Sequence, residues 1–223
     1  MEKQKPTGTL GKVWYFIWDD NSIWSWIVNI ILAYLIINFI VYPGLGFILG
    51  TTHPVVSVMS SSMEHKIVKS GQTGLFEMCG NAYSEKQLVD FGYYWEQCGS
   101  WYERSGITKA AFSTFPLRNG FNRGDLIILR GAEPENLKTG DIIVFKTLLP
   151  EPIIHRVISK KETGSGYVFQ TKGDHNAGQI TNPAYAFDET SVSGDDVIGR
   201  AFISIPMLGY IKIGFAGIIS FIR

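Results

Sequence analysis

The chain has 223 residues, with 20 lysines and arginines against 20 aspartates and glutamates, so its formal net charge is zero. That length suits one well-buried domain with an appendage. The neutral balance argues against a dedicated nucleic-acid surface, which needs a basic excess. The charges are unevenly placed, however, and no Asp, Glu, Lys or Arg occurs from Asn21 to Met63.

Residues 1–20 read as a short cytoplasmic segment whose KVWYFIWDD piece (Lys12 to Asp20) lies at a membrane surface. Residues 21–50 read as a transmembrane anchor. Within them IWSWIVNIILAYLIINFIVY, Ile23 to Tyr42, matches the roughly 20 residues that cross a hydrocarbon core. Trp24, Trp26 and Tyr42 resemble interfacial aromatic belts. Asn29 and Asn38 are tolerable there if they hydrogen-bond along the helix or face a partner. A cleaved signal peptide has an apolar core of about 7–15 residues followed by small residues. This run is longer and ends in YPGLGFILG, which favours an uncleaved anchor. Lys3, Lys5 and Lys12 precede it and no Lys or Arg follows before Lys66. The positive-inside rule therefore predicts a single-pass protein of the cell membrane, with a cytoplasmic N-terminus and the remainder on the outer face.

Residues 51–206 form the predicted outer domain. PVVSVMS reads as a strand leading into Ser60, Ser61 and Ser62. Residues 66–119 change character: SEKQLVDFGYYWEQC and SGITKAAFSTF suggest two helices capped by Ser84 and Ser105, within a glycine-punctuated helical insertion. Its aromatics, Tyr93, Tyr94, Trp95, Trp101 and Tyr102, are expected to form a small core. Cys79 and Cys98 permit a disulfide on the outer side or remain two buried thiols. GDLIILRG, GDIIVFKT, PIIHRVISKK, GYVFQTKGD and DDVIGRAFISI are then short, β-branched and bounded by turn formers. No βαβ alternation appears, so the fold class is mainly β, a sheet or barrel-like domain behind an N-terminal helix. Residues 207–223, within PMLGYIKIGFAGIISFIR, read as an apolar membrane-interfacial segment.

A serine hydroxyl becomes a nucleophile only beside a base. Of His53, His65, His155 and His175, only His155 sits inside an apolar strand, PIIHRVI, where it faces either solvent or a groove. For a carboxylate to orient it, the KGDHN turn offers Asp174, with Asp188, Asp195 and Asp196 beyond. Turns take aspartate for backbone bonding alone, so the residues by themselves indicate a possible Ser/His/Asp site.

SVMSSSME followed in order by RGDLIIL, TGDIIVF, IIHRV, TKGDHN and DDVIGRAF resembles type I signal peptidase. Histidine in IIHRV, where the bacterial branch carries lysine, points to the archaeal and endoplasmic-reticulum branch with its Ser-His-Asp site. The resemblance implies that Ser62, immediately before Met63, is the nucleophile and that Ser60 helps form the oxyanion hole. His155 is then the general base and Asp174 its orienting carboxylate. Two positions depart from the family pattern. His65 stands where proline is usual, and Ile180 stands where a second aspartate often follows the KGD box by six residues. Asp174 then orients His155 directly, or Asp188 does so from a shifted loop.

The implied activity is removal of N-terminal signal peptides from secreted preproteins at the membrane, with no metal or cofactor. An extended substrate peptide would lie against Val55, Val56, Ser57, Val58 and Met59 on one side and Ile153 and Ile154 on the other. Preproteins and membrane lipid are the expected partners, nucleic acid is not, and translocon or complex subunits are left open. The alternative from a different class is a catalytically inactive, membrane-tethered binding or assembly module with the same fold.

Overall fold

The computed structural model describes residues 8–71, 73–164, 166–185 and 187–210. The expectations for Lys3, Lys5 and most of the apolar C-terminal segment lie outside them. The chain divides into two compact units between Ile48 and Leu49.

Helix α1 (Thr9–Trp18) is followed by α2 (Ile23–Ile36), a wider turn (Ile37–Val41) and α3 (Tyr42–Leu49), all but the last residue of which belong to the first unit. The last three form one helical run of 27 residues, Ile23–Leu49, with a mean hydropathy of 2.1 over its most apolar 18 residues. At 1.5 Å per residue it is about 40 Å long, enough to cross a bilayer core of about 30 Å with tilt. Ser22 starts it by accepting from Ser25 N at 3.2 Å, and Asp20 in turn accepts from Ser22 N at 3.0 Å. The wider turn precedes Pro43, which has no N–H and whose ring crowds the carbonyl four residues back. The two asparagines find partners: Asn29 Nδ2 donates to Ile17 O at 2.8 Å and Asn38 Nδ2 to Tyr34 O at 2.9 Å.

The second unit is mainly β. Its strands are β1 (Val55–Ser57), β2 (Val68–Lys69), β3 (Phe76–Met78), β4 (Asn81–Tyr83), β5 (Leu126–Arg130), β6 (Ile142–Phe145), β7 (Ile153–Thr163), β8 (Gly166–Lys172), β9 (Thr181–Asn182), β10 (Phe187–Asp188), β11 (Val192–Ser193) and β12 (Val197–Ile205). Seven of them form one sheet in the order β1-β5-β12-β6-β7-β8-β11. Register shifts in β12 (Val197/Gly199 and Ala201/Ile203) and in β7 (Val157/Ser159) are bulges that raise the local twist. The central strand β6 is buried on both faces: Ile142 and Val144 join a core with Val58, Met63, Phe121, Ile127 and Leu129. Its alternate residues, Ile143 and Phe145, join a second core with Val157, Phe169 and Phe187. A continuous apolar run, IIVF, is what a strand covered on both faces requires.

The segment 66–119 contains two helices, but their starts differ from expectation. Helix α4 (Phe91–Arg104) is capped by Asp90, whose Oδ1 accepts from Tyr93 N at 2.7 Å. Helix α5 (Lys109–Ser113) is capped by Thr108, accepting from Ala111 N at 3.2 Å. Residues 84–90 stay irregular because the apolar face that packs inward, Tyr94, Trp95, Cys98 and Tyr102, begins only after Asp90. Burial, not the availability of a capping serine, sets the start. Strands β2, β3 and β4 form a small sheet of their own. Cys79 and Cys98 are disulfide-bonded, joining the end of this sheet to α4. Met78, Tyr94, Trp95, Tyr102, Ile107 and Phe112 close over Ile67 and Ile158, so the insertion is a small core seated on β7.

Candidate active site

Ser62 lies on the loop after β1. Met63, which follows it, is fully buried and anchors this loop in the core. The Met63 carbonyl accepts from Phe121 N at 3.2 Å. Gly120, at φ +66°, lets the chain approach, since a Cβ there would lie 2.2 Å from the Met63 carbonyl oxygen. Ser62 is half-buried, and its Oγ is 3.1 Å from Ser60 Oγ.

His155 projects from β7 and is 4% exposed. Its Nδ1 is 2.5 Å from Glu189 Oε1. Nδ1 therefore carries the proton and donates to the carboxylate, leaving Nε2 as the free acceptor. That acceptor faces the Ser62 loop across Gly173. A Cβ built at Gly173 would lie 2.8 Å from His155 Nε2, 2.9 Å from the Ser62 carbonyl oxygen and 2.5 Å from Asn176 Nδ2. Only glycine leaves room there. The Ser62 carbonyl also accepts from His175 N at 2.8 Å, which ties the Ser62 loop to the KGDHN turn.

The carboxylate behind His155 is thus Glu189, a residue absent from the sequence expectation. It is fully buried, and its second oxygen accepts from Ile180 N at 2.7 Å. Its backbone is pinned as well: Thr171 N donates to Glu189 O at 2.8 Å, and Gln179 Nε2 donates to the same oxygen at 3.0 Å. Glu189 therefore reaches the imidazole from beside Ile180, the position where the family pattern often has an aspartate. Asp188 does not reach it: its Oδ1 turns to the exposed Thr190, accepting from N at 2.8 Å and Oγ1 at 2.7 Å.

Asp174 is placed elsewhere. Its Oδ1 accepts from Arg156 Nε at 2.9 Å and from the Tyr102 hydroxyl at 2.8 Å. Its Oδ2 accepts from Arg156 Nη2 at 2.7 Å and lies 3.0 Å from His65 Nε2. The reason is strand geometry. Successive side chains on β7 point to opposite faces, so His155 and Arg156 look in opposite directions and one carboxylate cannot serve both. A fully buried arginine needs an anion, and Asp174 supplies it. Arg156 also donates to the carbonyls of Pro116, Gly140 and Leu117, so its guanidinium is satisfied all round. His65 is stacked on Tyr94 with centroids 3.6 Å apart, and burial lowers its pKa despite Asp174. It is a neutral donor in this network. An arginine directly after the histidine in an apolar strand was the available signal for the Asp174 ion pair; nothing local marks Glu189.

Electrostatics follow the same division. Burial alone would raise the Asp174 pKa, but Arg156 and the His65 hydrogen bond outweigh it and hold the carboxyl well below the usual range. Lys172 is buried, which pulls its pKa down to about 8 against the opposing pull of Asp174 and Glu189. Its Nζ donates to the Gly173 carbonyl at 3.0 Å and lies over the Trp101 and Tyr102 rings.

The expected substrate-facing residues divide. Among the described residues β1 is an edge strand, paired only with β5, through Val55, Val56 and Ser57. Ile153 and Ile154 pair with β6, whereas pairing of β7 with β8 begins only at Arg156. Among the described residues both stretches therefore keep one unpaired edge. Met59 is 40% exposed, but Val58 is 3% exposed, and its N–H and carbonyl are taken by Asp125 and Gly124. Val58 is a core residue with no free backbone edge.

Over 95 residues, 42% of the chain, the sequence is 35% identical to the signal peptidase complex catalytic subunit SEC11 of Pyricularia oryzae. The same-named protein of Colletotrichum graminicola is 36% identical over 95 residues. Signal peptidase complex catalytic subunit SEC11C of Homo sapiens is 36% identical over 96 residues. The similarity is to signal peptidase catalytic subunits. The chain spans about half the length of these curated relatives, 55% of the fungal proteins and 49% of the human one. No family model matches the chain.

Because Asp174 neutralises a fully buried guanidinium, Asp174→Asn is expected to destabilise the second unit by about 3–5 kcal/mol. The pH dependence has a definite sign. A carboxyl whose folded pKa is depressed contributes stability that is complete above about pH 5 and lost on acidification toward its folded pKa. Wild-type melting temperature should therefore fall steeply below about pH 4, and Asp174→Asn should start lower and fall less. Denaturation at neutral and acid pH checks both. Equal slopes in the two proteins would contradict the assignment.

Proposed function

We propose that the chain is a membrane-anchored serine endopeptidase that removes N-terminal signal peptides from preproteins. Ser62 is its nucleophile, His155 its general base and Glu189 the carboxylate that orients the base. The observation that carries this reading is the convergence of the Ser62 loop and the His155 acceptor nitrogen over Gly173, with Glu189 bonded to the far side of the imidazole. The similarity to signal peptidase catalytic subunits supports the substrate class. Glu189 also removes the motive for the inactive-module alternative, since the imidazole has a carboxylate although Ile180 is not one.

The steps follow from acyl-transfer chemistry. The Ser62 hydroxyl leaves its contact with Ser60, gives its proton to His155 Nε2 and attacks the carbonyl carbon of the last signal-peptide residue. The Ser62 N–H and the freed Ser60 hydroxyl stabilise the oxyanion, about 3–4 kcal/mol per donor in related chemistry. His155 then protonates the departing amine, and water cleaves the ester. The substrate adds as an extended strand along the free edges of β1 and of β7 at Ile153 and Ile154. Asp174 is outside this machinery and holds the KGDHN turn through Arg156.

The helix Ile23–Leu49 anchors the protein, with the N-terminus cytoplasmic and the second unit on the outer face. A substrate held in the same bilayer meets the site at high effective concentration. The relatives are named as subunits of a complex, and assembly with further membrane subunits is part of this reading. To test it, the full chain in detergent is incubated with a preprotein carrying small residues before its cleavage site, and the product N-terminus is read by mass spectrometry. One defined cut after the signal sequence is expected. Intact preprotein, both with the chain alone and in membranes containing its co-purifying subunits, would sink the proposal.

A further inference from the structure

Among the described residues, one buried side-chain polar atom has no hydrogen-bond partner: Asn176 Nδ2. Such orphans are rare in folded proteins, and each calls for a reason. The Asn176 backbone is already committed to the turn, its N–H donating to Gly173 O at 2.9 Å. The side chain is thereby held over Gly173. That is where His155 Nε2 and the Ser62 carbonyl also point, all three within 3 Å of the same Gly173 Cβ position. One unspent donor and the acceptor nitrogen of the imidazole thus lie on the same flank of Gly173, beside the Ser62 carbonyl.

We infer that Asn176 positions the water that hydrolyses the Ser62 acyl-enzyme. The inference rests on the assignment of Ser62 and His155 above. After the amine product leaves, the attacking water must sit beside His155 Nε2, with one proton on that nitrogen and a lone pair toward the acyl carbon. The Asn176 amide donates to the water's second lone pair and fixes its orientation. The water oxygen forms the new bond to the acyl carbon, and its proton passes to Nε2. When the tetrahedral species collapses, the carbon–Oγ bond breaks and Ser62 Oγ takes that proton back. Reactants are the acyl ester and water; products are the peptide acid and free Ser62. In acylation the same place is filled by the departing amine, which brings its own covalent positioning, so Asn176 matters mainly in the second half of the cycle.

The test separates those halves. The full-length protein is given a peptide ester ending in alanine, which acylates fast and makes hydrolysis limiting, and Asn176→Leu and Asn176→Gln are compared with wild type. Quenched samples are weighed intact, and the burst and steady-state rates are followed. In Asn176→Leu the burst should keep its rate while steady-state turnover falls by roughly 10²-fold, the cost of a misplaced reactant, and the Ser62 ester should accumulate. Asn176→Gln, which keeps an amide donor, should recover part of the loss. Equal falls in burst and steady state, or no change in either, would overturn the inference. Absence of any Ser62 adduct in wild type would instead strike the nucleophile assignment, and the inference with it. Unchanged melting temperatures in both variants establish that the readout is kinetic.

Discussion

Replacing Ser62 by alanine is expected to lower preprotein cleavage by on the order of 10⁶-fold, because the proposed nucleophile is gone. His155→Ala should cost about as much, and the double variant little more, since nucleophile and base act as one unit. The comparison needs single-turnover rates with purified full-length protein and the same preprotein. Ser62 tolerates the change structurally: it is tied to its surroundings by its carbonyl, which an alanine retains, and among the described residues its side chain hydrogen-bonds to Ser60 Oγ. His155→Ala leaves the buried Glu189 carboxylate without its imidazole, so its melting temperature is measured beside its rate. Losses that multiply in the double variant would mean that the two groups work independently, contrary to a Ser–His pair.

Glu189→Gln is the second large effect, roughly 10⁴-fold in turnover with the fold retained. Glutamine keeps an oxygen for Ile180 N, which now bonds Glu189 Oε2 at 2.7 Å. Its amide nitrogen then faces His155 Nδ1 and donates where the carboxylate accepted. The imidazole is forced into the tautomer with its proton on Nε2, so it cannot take the Ser62 proton. Asp188→Asn should leave turnover unchanged, because Asp188 contacts Thr190 on the surface. Near-normal cleavage by Glu189→Gln, together with loss in Asp188→Asn, would reverse the assignment. Asp174→Asn separates from both by its readout, lost stability at neutral pH rather than a folded but slow enzyme.

The long apolar helix was legible because its signal is local and additive: more than 20 residues without a charge, flanked by tryptophans and tyrosine. The main strands were legible for a similar reason, each being a β-branched run bounded by turn residues. Strands β2, β3 and β4 were missed because two or three residues carry no period. The starts of α4 and α5 were misplaced because several residues near each could cap, and packing of Tyr94, Trp95 and Cys98 chose among them. His65 is a case between the two. Its departure from proline was visible, but its partner, Asp174, lies 109 residues away.

By itself the sequence determined the apolar helix, the sheet-forming segments, which of three serines precedes the buried methionine, and the histidine on a separate strand. It did so because charge, periodicity and register are properties of neighbouring residues. Only the tertiary structure decided which carboxylate stands behind that histidine. The answer depends on which face of β7 each side chain takes and on where the turn after β10 ends. Those are relations between segments 34 residues apart, so Glu189 rather than Asp174 meets the imidazole.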